Sequence, residues 1–260
     1  MRIILITGNE RRHRYVAAQL AERIGLAAII SEAKAPTAAA TIADPADPMV
    51  RHIAERGAVE AQLLGDAKFP DGVELLSLPT GAANHAATFD WVSARQPDAI
   101  LLYGSSIIRA PLLEYFDGRI VNMHLGLSPY YRGAGTNFWA LVDNCPEGVG
   151  ATIHLATLKV DAGAILAQVR PRIEASDRAH HIGTRTIIAG VEVVAEAARR
   201  YLAGKIEPVG QDLSIGKVFR KKDWNAAAVL QLWHNLDAGM VPKYLADEKA
   251  RRAAMPIVSL

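Results

Sequence analysis

Asn122 and His124 stand two residues apart at the end of an apolar run, and Asp161 follows 37 residues later in "VDAGAIL". An amide donor, an imidazole that titrates near pH ~6.5 and a carboxylate are the parts of a proton transfer beside developing negative charge. A histidine at a strand end is more often structural than catalytic, so the pair alone proves little. Three further features shift that balance. The segment from Gly126 to Gly135 holds three glycines and one proline, so backbone can approach a ligand closely. Tyr130, Tyr131 and Arg132 add stacking surface and a fixed cation. Asp161 itself falls in an Asp-x-Gly turn between two expected strands.

These residues need strands that end at one place. Arg2–Thr7, Leu26–Ile30, Val73–Leu78, Asp98–Gly104 and Arg119–His124 read as short buried strands. Between them lie helical patterns: Val16, Leu20 and Ile24 at spacing four, Met49–Leu64, and a helix ending at Phe89–Ala94 that Pro97 closes. A short helix surrounds Leu112–Phe116. The alternation predicts an α/β fold, a doubly wound, mostly parallel, Rossmann-like sheet with helices on both faces. Ligands in such folds bind outside the carboxyl ends of the strands, where Asn122 and His124 lie.

Gly150–Ala156 and Ile165–Ile173 read as two more strands flanking Lys159–Gly163. A long helix follows with the stripe Ile187, Val191, Val194, Ala198 and Leu202. Lys34–Pro48, rich in Ala, Thr, Pro and Asp, is expected to be an exposed, mobile loop. Residues 1–203 are expected to form the catalytic domain. Residues 204–260 form a C-terminal extension, with a hairpin (Ile206–Gly210, Lys217–Phe219) and a helix over Ala226–Leu236.

"VNMHLGLSPYYRGAGTNFWAL" followed by "GATIHLATLKVDAGAILAQ" resembles the folate-dependent formyltransferases, which include glycinamide ribonucleotide transformylase, methionyl-tRNA formyltransferase and the sugar N-formyltransferases. The resemblance spans residues 1–203 and is strongest over 98–168. It implies a primary amine attacking the formyl carbon of 10-formyltetrahydrofolate, the co-substrate, through a tetrahedral oxyanion. Asn122 would donate to that oxyanion. His124 would accept the amine proton or, charged, stabilise the oxyanion. Asp161 would hold and polarise His124 or a relaying water. No metal or redox cofactor is called for.

By the same resemblance, Ser106, Ile107 and Ile108 after the fourth strand and the Thr157–Asp161 loop (Thr157, Leu158, Val160) clamp the pterin, although Ile107 and Ile108 could equally be core. His154 matches a strand histidine of the family and could touch substrate or be structural. His180 and His181 start a helix with no cysteine or carboxylate at ligand spacing and read as structural.

The first turn, "TGNERRHRY", lacks G-x-G-x-x-G, so no dinucleotide fingerprint is present. Gly8 and Asn9, then Arg11 and Arg12, lead into a helix N-terminus that favours phosphate. Arginines there oppose the helix dipole, a cost that a bound anion would offset. In the transformylase relatives this turn receives the phosphate of the amine substrate.

The charge balance of 29 Lys and Arg against 27 Asp and Glu gives no general case for nucleic acid or membrane binding. The single Cys145 forms no internal disulfide, and no apolar stretch reaches the ~20 residues of a membrane span. A cytoplasmic protein is expected. The aromatic residues Phe219, Trp224, Trp233 and Tyr244 could form a homodimer surface or pack on the parent domain.

Within the family, "HLGLSPYYRG…FWAL" is closest to the sugar enzymes, since Gly126 stands where the other groups have Ser. Ser128 replaces the usual Leu before the proline, and Ser106 replaces the Arg of the purine enzyme. The expected reaction is N-formylation of a nucleotide-linked amino sugar, such as GDP-perosamine or a dTDP-4-amino-4,6-dideoxyhexose, for O-antigen and lipopolysaccharide synthesis. Tyr130, Arg132 and His154 join Gly8, Asn9, Arg11 and Arg12 as its expected contacts. Methionyl-tRNA formyltransferase would carry a longer, basic C-terminal domain, and "FRKKDW" reads as a solvated hairpin. Glycinamide ribonucleotide transformylase would leave the extension unexplained. Formyltetrahydrofolate hydrolases carry an N-terminal regulatory domain, whereas this chain starts at the first strand. A folate- or nucleotide-binding module would need no proton-transfer set.

Overall fold

The computed structural model describes residues 1–260. Seven strands form one sheet: β1 (Ile3–Gly8), β2 (Ala28–Glu32), β3 (Glu74–Leu78), β4 (Ala99–Tyr103), β5 (Ile120–His124), β7 (Ala151–Leu155) and β8 (Ile165–Val169). Their order is β3-β2-β1-β4-β5-β7-β8; the first five run parallel, and β7 and β8 are antiparallel additions. The chain moves outward from β1 to β3 and then returns to the other side of β1 with β4. That reversal opens a crevice at the carboxyl ends of β1 and β4.

Strands β1, β2 and β4 are buried at every position, which is why their sequences are unbroken apolar runs rather than alternating ones. One face is covered by α1 (Arg11–Ile24) and α6 (Ala179–Leu202), the other by α3 (Ala86–Ser93) and α4 (Leu112–Tyr115). The stripe of α6 buries Ile187, Val191, Val194 and Ala198 against Met123, Ala151 and Ile153. Helix α2 (Pro48–Leu64) begins as its sequence dictates, with Asp47 accepting from the Met49 N–H at 2.8 Å and proline in the first turn.

Some expectations are corrected. Strand β2 starts at Ala28 rather than Leu26, and β8 stops at Val169 because Arg170 and Pro171 follow and proline has no N–H for the ladder. The Lys34–Pro48 segment is not wholly exposed: it contains a 3-10 turn at Ala38–Thr41, and Ala39 is buried against Met49 and Val229.

The hairpin in the C-terminal part does not form. Val209 bridges Ile165 at the end of the main sheet. Strand β9 (Lys217–Phe219) pairs in parallel with β6 (Tyr131–Gly133), the strand that follows the His124 loop. Helices α7 (Ala226–Asp237), α8 (Met240–Ala246) and α9 (Glu248–Ala254) then close the chain. Together with α5 (Thr136–Val142) they bury a third core around Trp139, Leu232, Met240 and Tyr244. Phe219, Trp224 and Trp233 pack against that core, so the aromatic residues considered for a homodimer surface are used within the chain. No helix is long and apolar enough to cross a membrane.

Candidate active site

Four polar side chains meet where β5 ends. Strand periodicity places Asn122 and His124 on the same face, and the antiparallel register sets Asn122 opposite His154 on β7. Asp161 reaches them from the loop between β7 and β8. His124 Nδ1 lies 3.4 Å from Asp161 Oδ2, and His154 Nε2 lies 3.5 Å from Asp161 Oδ1. Asn122 Nδ2 is 3.0 Å from His154 Nε2.

Backbone groups fix each member. The His154 ring donates from Nδ1 to the Leu155 carbonyl at 2.8 Å, which leaves Nε2 to accept from the Asn122 amide. His124 Nε2 donates to the Tyr131 carbonyl at 3.2 Å, with Thr136 Oγ1 3.3 Å away. Thr136 in turn donates to the Leu125 carbonyl. Asp161 holds a left-handed backbone, φ +50°, which aspartate tolerates better than most residues. Its Oδ2 accepts the Gly133 N–H at 2.9 Å. Gln211, from the C-terminal part of the chain, donates to the Asp161 and Gly163 carbonyls at 3.1 and 2.6 Å.

The electrostatics follow from burial and pairing. Burial pushes the His124 imidazole below its ordinary value, and Asp161 pulls it back only in part. For Asp161 burial acts upward, but the His124 and His154 rings and the Gly133 N–H outweigh it and hold the carboxyl at about 2. Near neutral pH the pair is therefore a carboxylate beside a neutral ring. With Nε2–H committed to Tyr131, the lone pair of Nδ1 faces the Asp161 carboxylate, an arrangement that a proton arriving at Nδ1 would relieve.

Gly126 has a steric reason to be glycine. A Cβ there would stand 2.7 Å from His124 Nε2 and collide with the Thr136 hydroxyl. The loop around it is pinned by buried polar groups: Ser128 N donates to Thr152 Oγ1 at 2.9 Å, and Gln168 Nε2 donates to the Ser128 carbonyl at 2.6 Å.

The cluster opens into a cavity of about 800 Å³. One wall carries Ser106, Ile107 and Ile108 with Thr157 and Val160. Glu32 shapes this wall: one carboxylate oxygen accepts the Ser106 N–H at 2.9 Å, the other the Ala83 N–H at 3.0 Å. Asn84 ties down the same loop through the Ile107 carbonyl and the Arg109 N–H. Ile107 and Val160 are exposed apolar surface at the mouth, whereas Ile108 is also part of the core. Leu158 is 76% exposed and stands off the wall.

Part of the cavity lining is basic. Arg12, Lys34, Arg220 and Lys221 form it, together with the buried His13. Arg12 is held by Glu60 at 3.0 Å and by Glu10, whereas Lys34, Arg220 and Lys221 have no carboxylate within 4.0 Å. Burial and the neighbouring charges of Arg12 and Lys221 lower the Lys34 ammonium. Gly104, at φ +59°, leaves room for the His13 ring, whose Nε2 would lie 2.5 Å from a Cβ at that position.

Of the expected substrate contacts, Arg12 and His154 line this cavity. The others do not. Arg11 donates to the Gly65 carbonyl, and the Asn9 carbonyl and side chain are taken by Arg14 and the Lys34 N–H. Gly8 lies behind His13 and Lys34. Tyr130 donates to the Pro256 carbonyl at 3.3 Å. Arg132 is 5% exposed and donates to the Leu213 and Ile215 carbonyls, so its cation fastens the C-terminal segment rather than facing the cavity. Sequence reading missed Lys34, His13, Arg220 and Lys221. "FRKKDW" carried the signal for the last two, but the hairpin reading turned it outward.

A family model described as "Formyl transferase" matches residues 2–198. Among curated relatives, the bifunctional polymyxin resistance protein ArnA of Wigglesworthia glossinidia brevipalpis is 27% identical over 56% of this chain and 23% of its own length. The methionyl-tRNA formyltransferase of Chlorobium chlorochromatii is 32% identical over 48% of this chain and 39% of its own. The chain thus aligns with less than half the length of either.

Solved structures share the fold at low identity. Phosphoribosylglycinamide formyltransferase from Anaplasma phagocytophilum superposes with TM-score 0.57 at 16% identity, over 85% of this chain and 98% of its own. A sugar N-formyltransferase from a Shewanella species gives 0.56 at 14%, over 89% and 87%. The formyltransferase PseJ from Anoxybacillus kamchatkensis, solved with UDP-4,6-dideoxy-4-formamido-L-AltNAc and tetrahydrofolate, gives 0.50 at 19%, over 86% and 87%. With the family model spanning most of the sequence and the Asn122, His124 and Asp161 side chains gathered at one cavity, this chain belongs to the formyl transferase family.

Proposed function

We propose that the protein transfers a formyl group from 10-formyltetrahydrofolate to the amino group of a nucleotide-linked amino sugar. The observation that carries this reading is one cavity lined by two different groups of side chains. One is the Asn122–His124–His154–Asp161 cluster; the other is the cations Lys34, Arg220 and Lys221, none of which has a carboxylate partner. A sugar nucleotide presents an amine and a diphosphate a sugar apart, which suits both. The ligands held by PseJ, a sugar nucleotide and tetrahydrofolate, support the same pairing.

In this reading the folate lies along the Ser106–Ile108 and Thr157–Val160 walls, whose exposed apolar side chains suit a flat ring system. The amine attacks the formyl carbon, the new C–N bond forms, and the carbonyl oxygen becomes an oxyanion. Asn122 donates one amide hydrogen to His154 and keeps the other for that oxyanion, a contribution of about 3 kcal/mol. His124 takes up the amine proton, directly or through a relaying water, and the Asp161 carboxylate stabilises the imidazolium. That proton then goes to the folate nitrogen as its bond to the formyl carbon breaks, giving the formamide and tetrahydrofolate. The depressed pKa of His124 favours the base role over a standing positive charge.

GDP- and dTDP-linked 4-amino-4,6-dideoxyhexoses are the acceptors this reading selects, with synthesis of O-antigen as the setting. The test is an acceptor panel: these sugars, glycinamide ribonucleotide and charged initiator tRNA, each with 10-formyltetrahydrofolate. A formylated sugar nucleotide supports the reading. Formylation of only the ribonucleotide or the tRNA replaces it.

A further inference from the structure

We propose a second site, distant in role from formyl transfer: His52, Glu55 and His180 bind one divalent transition-metal ion, with Zn²⁺ the best match. His52 and Glu55 lie three residues apart on α2, so they share one helix face. His180 comes from the first turn of α6, which packs beside α2. One ligand atom from each residue falls within 4.8 Å of the other two.

The second observation is what the two rings lack. His52 is 6% exposed, and its Nδ1 is buried with no hydrogen-bond partner. His180 Nε2 is likewise buried and unpartnered. The ring centroids are only 4.2 Å apart, tilted by 50°. Two orphaned ring nitrogens on adjacent imidazoles are costly, because a buried polar atom without a partner loses its hydration for nothing. A metal ion satisfies both at once.

The donor set decides the metal. Two imidazoles and one carboxylate suit zinc with a fourth position left to water, whereas hard cations such as Mg²⁺ or Ca²⁺ take oxygen ligands. The local field works against a cation, since Arg56 lies on the same helix, is only partly neutralised by Glu60 at 3.7 Å, and its charge acts on both His52 and His180. A site with a cation nearby depends on nitrogen coordination rather than on bulk negative charge. Glu55 is exposed, and its rotatable side chain supplies the closure from 4.8 Å to the shorter ligand spacing of a tetrahedral site. His52 also packs on Phe138 and Trp224, so an ion there would fasten α2, α6 and the segment before α7 together. The sequence hid this site, because His180 lies more than a hundred residues from His52 and Glu55.

The test uses the full, untagged chain, stripped with chelator and titrated with Zn²⁺ alone by calorimetry. One ion per chain is expected, with a rise in thermal midpoint, and Co²⁺ should give the intense visible bands of a tetrahedral site. Glu55→Gln, at an exposed position, should weaken binding by at least about tenfold. His180→Gln should abolish the Co²⁺ bands. No stoichiometric uptake by folded wild-type protein overturns the proposal. So does uptake whose affinity and Co²⁺ spectrum are unchanged in both variants, since the metal would then be bound elsewhere.

Discussion

His124 Nδ1 and Asp161 Oδ2 face one another across 3.4 Å, although one ends a central strand and the other sits in a loop beyond the next. The left-handed backbone of Asp161 and the Gly133 N–H aim the carboxylate, while the Tyr131 carbonyl orients the ring. A neutral imidazole is thereby held with its free nitrogen against a negative charge.

Replacing Asp161 by Asn should preserve the fold, since asparagine also tolerates the left-handed conformation. Turnover should fall by about 10²–10⁴-fold. The sign of the accompanying pH shift is fixed. Asp161 raises the His124 pKa, so its loss should move the acid limb of kcat/KM to lower pH. In the unaltered protein that limb should lie below 6.5. A pH–rate profile for both proteins checks it.

Asn122→Ala should lower kcat by about 10²–10³-fold with little change in folate affinity, because it removes a donor needed only as the oxyanion forms. Steady-state kinetics with folate binding by fluorescence quenching separate the two effects. Weakened binding with kcat intact would return Asn122 to a positioning role.

Gly126→Ser should be destabilising by about 1–3 kcal/mol and close to inactive, because the new side chain enters the space of His124 and Thr136. Chemical denaturation and the transfer assay measure both. This residue also shows what the sequence carries: glycine is visible there at once, but the two side chains it makes room for come from different elements.

Lys221→Ala and Arg220→Ala should each raise the KM for a nucleotide-linked acceptor by about three- to tenfold, with kcat nearly unchanged. The wild-type KM should rise with ionic strength. An unchanged KM in both variants would remove the diphosphate from this part of the cavity.

Acid should destabilise the fold in two steps. His13, His52, His124 and His180 are largely buried and have pKa values below those of the unfolded chain, His52 at about 4 and His180 at about 3. Below pH ~6.5 the unfolded state therefore binds more protons, and stability falls as pH drops. Asp161, held at about 2, adds a separate loss only between pH ~4 and 2. Urea midpoints across this range should show both steps.

The parallel sheet was legible because β1, β2 and β4 bury both faces and announce themselves as apolar runs; β4 is the clearest case, whereas β3 at the edge is largely exposed. That Asn122, His124 and Asp161 lie near a strand end and in a tight turn was visible in the sequence, whereas the roles expected of them came from the resemblance to formyltransferases. The C-terminal part was not. Lys217–Phe219 carries no mark saying that its partner is Tyr131–Gly133 rather than Ile206–Gly210, since pairing over such a separation is decided by the packed core beneath it. Arg132 misled for the opposite reason: the residue type promised an anion, but three-dimensional packing gave it backbone carbonyls. Lys34 sits in a segment without periodicity, so only the crevice between β1 and β4 reveals its place.

The most direct measurement is tetrahydrofolate release from 10-formyltetrahydrofolate, followed with and without a GDP- or dTDP-linked 4-amino sugar, with the products identified by mass spectrometry. The account predicts release that depends on the amine, one formamide formed per tetrahydrofolate, and loss of both in His124→Ala. Equal release in the absence of any amine, with free formate as product, would contradict it.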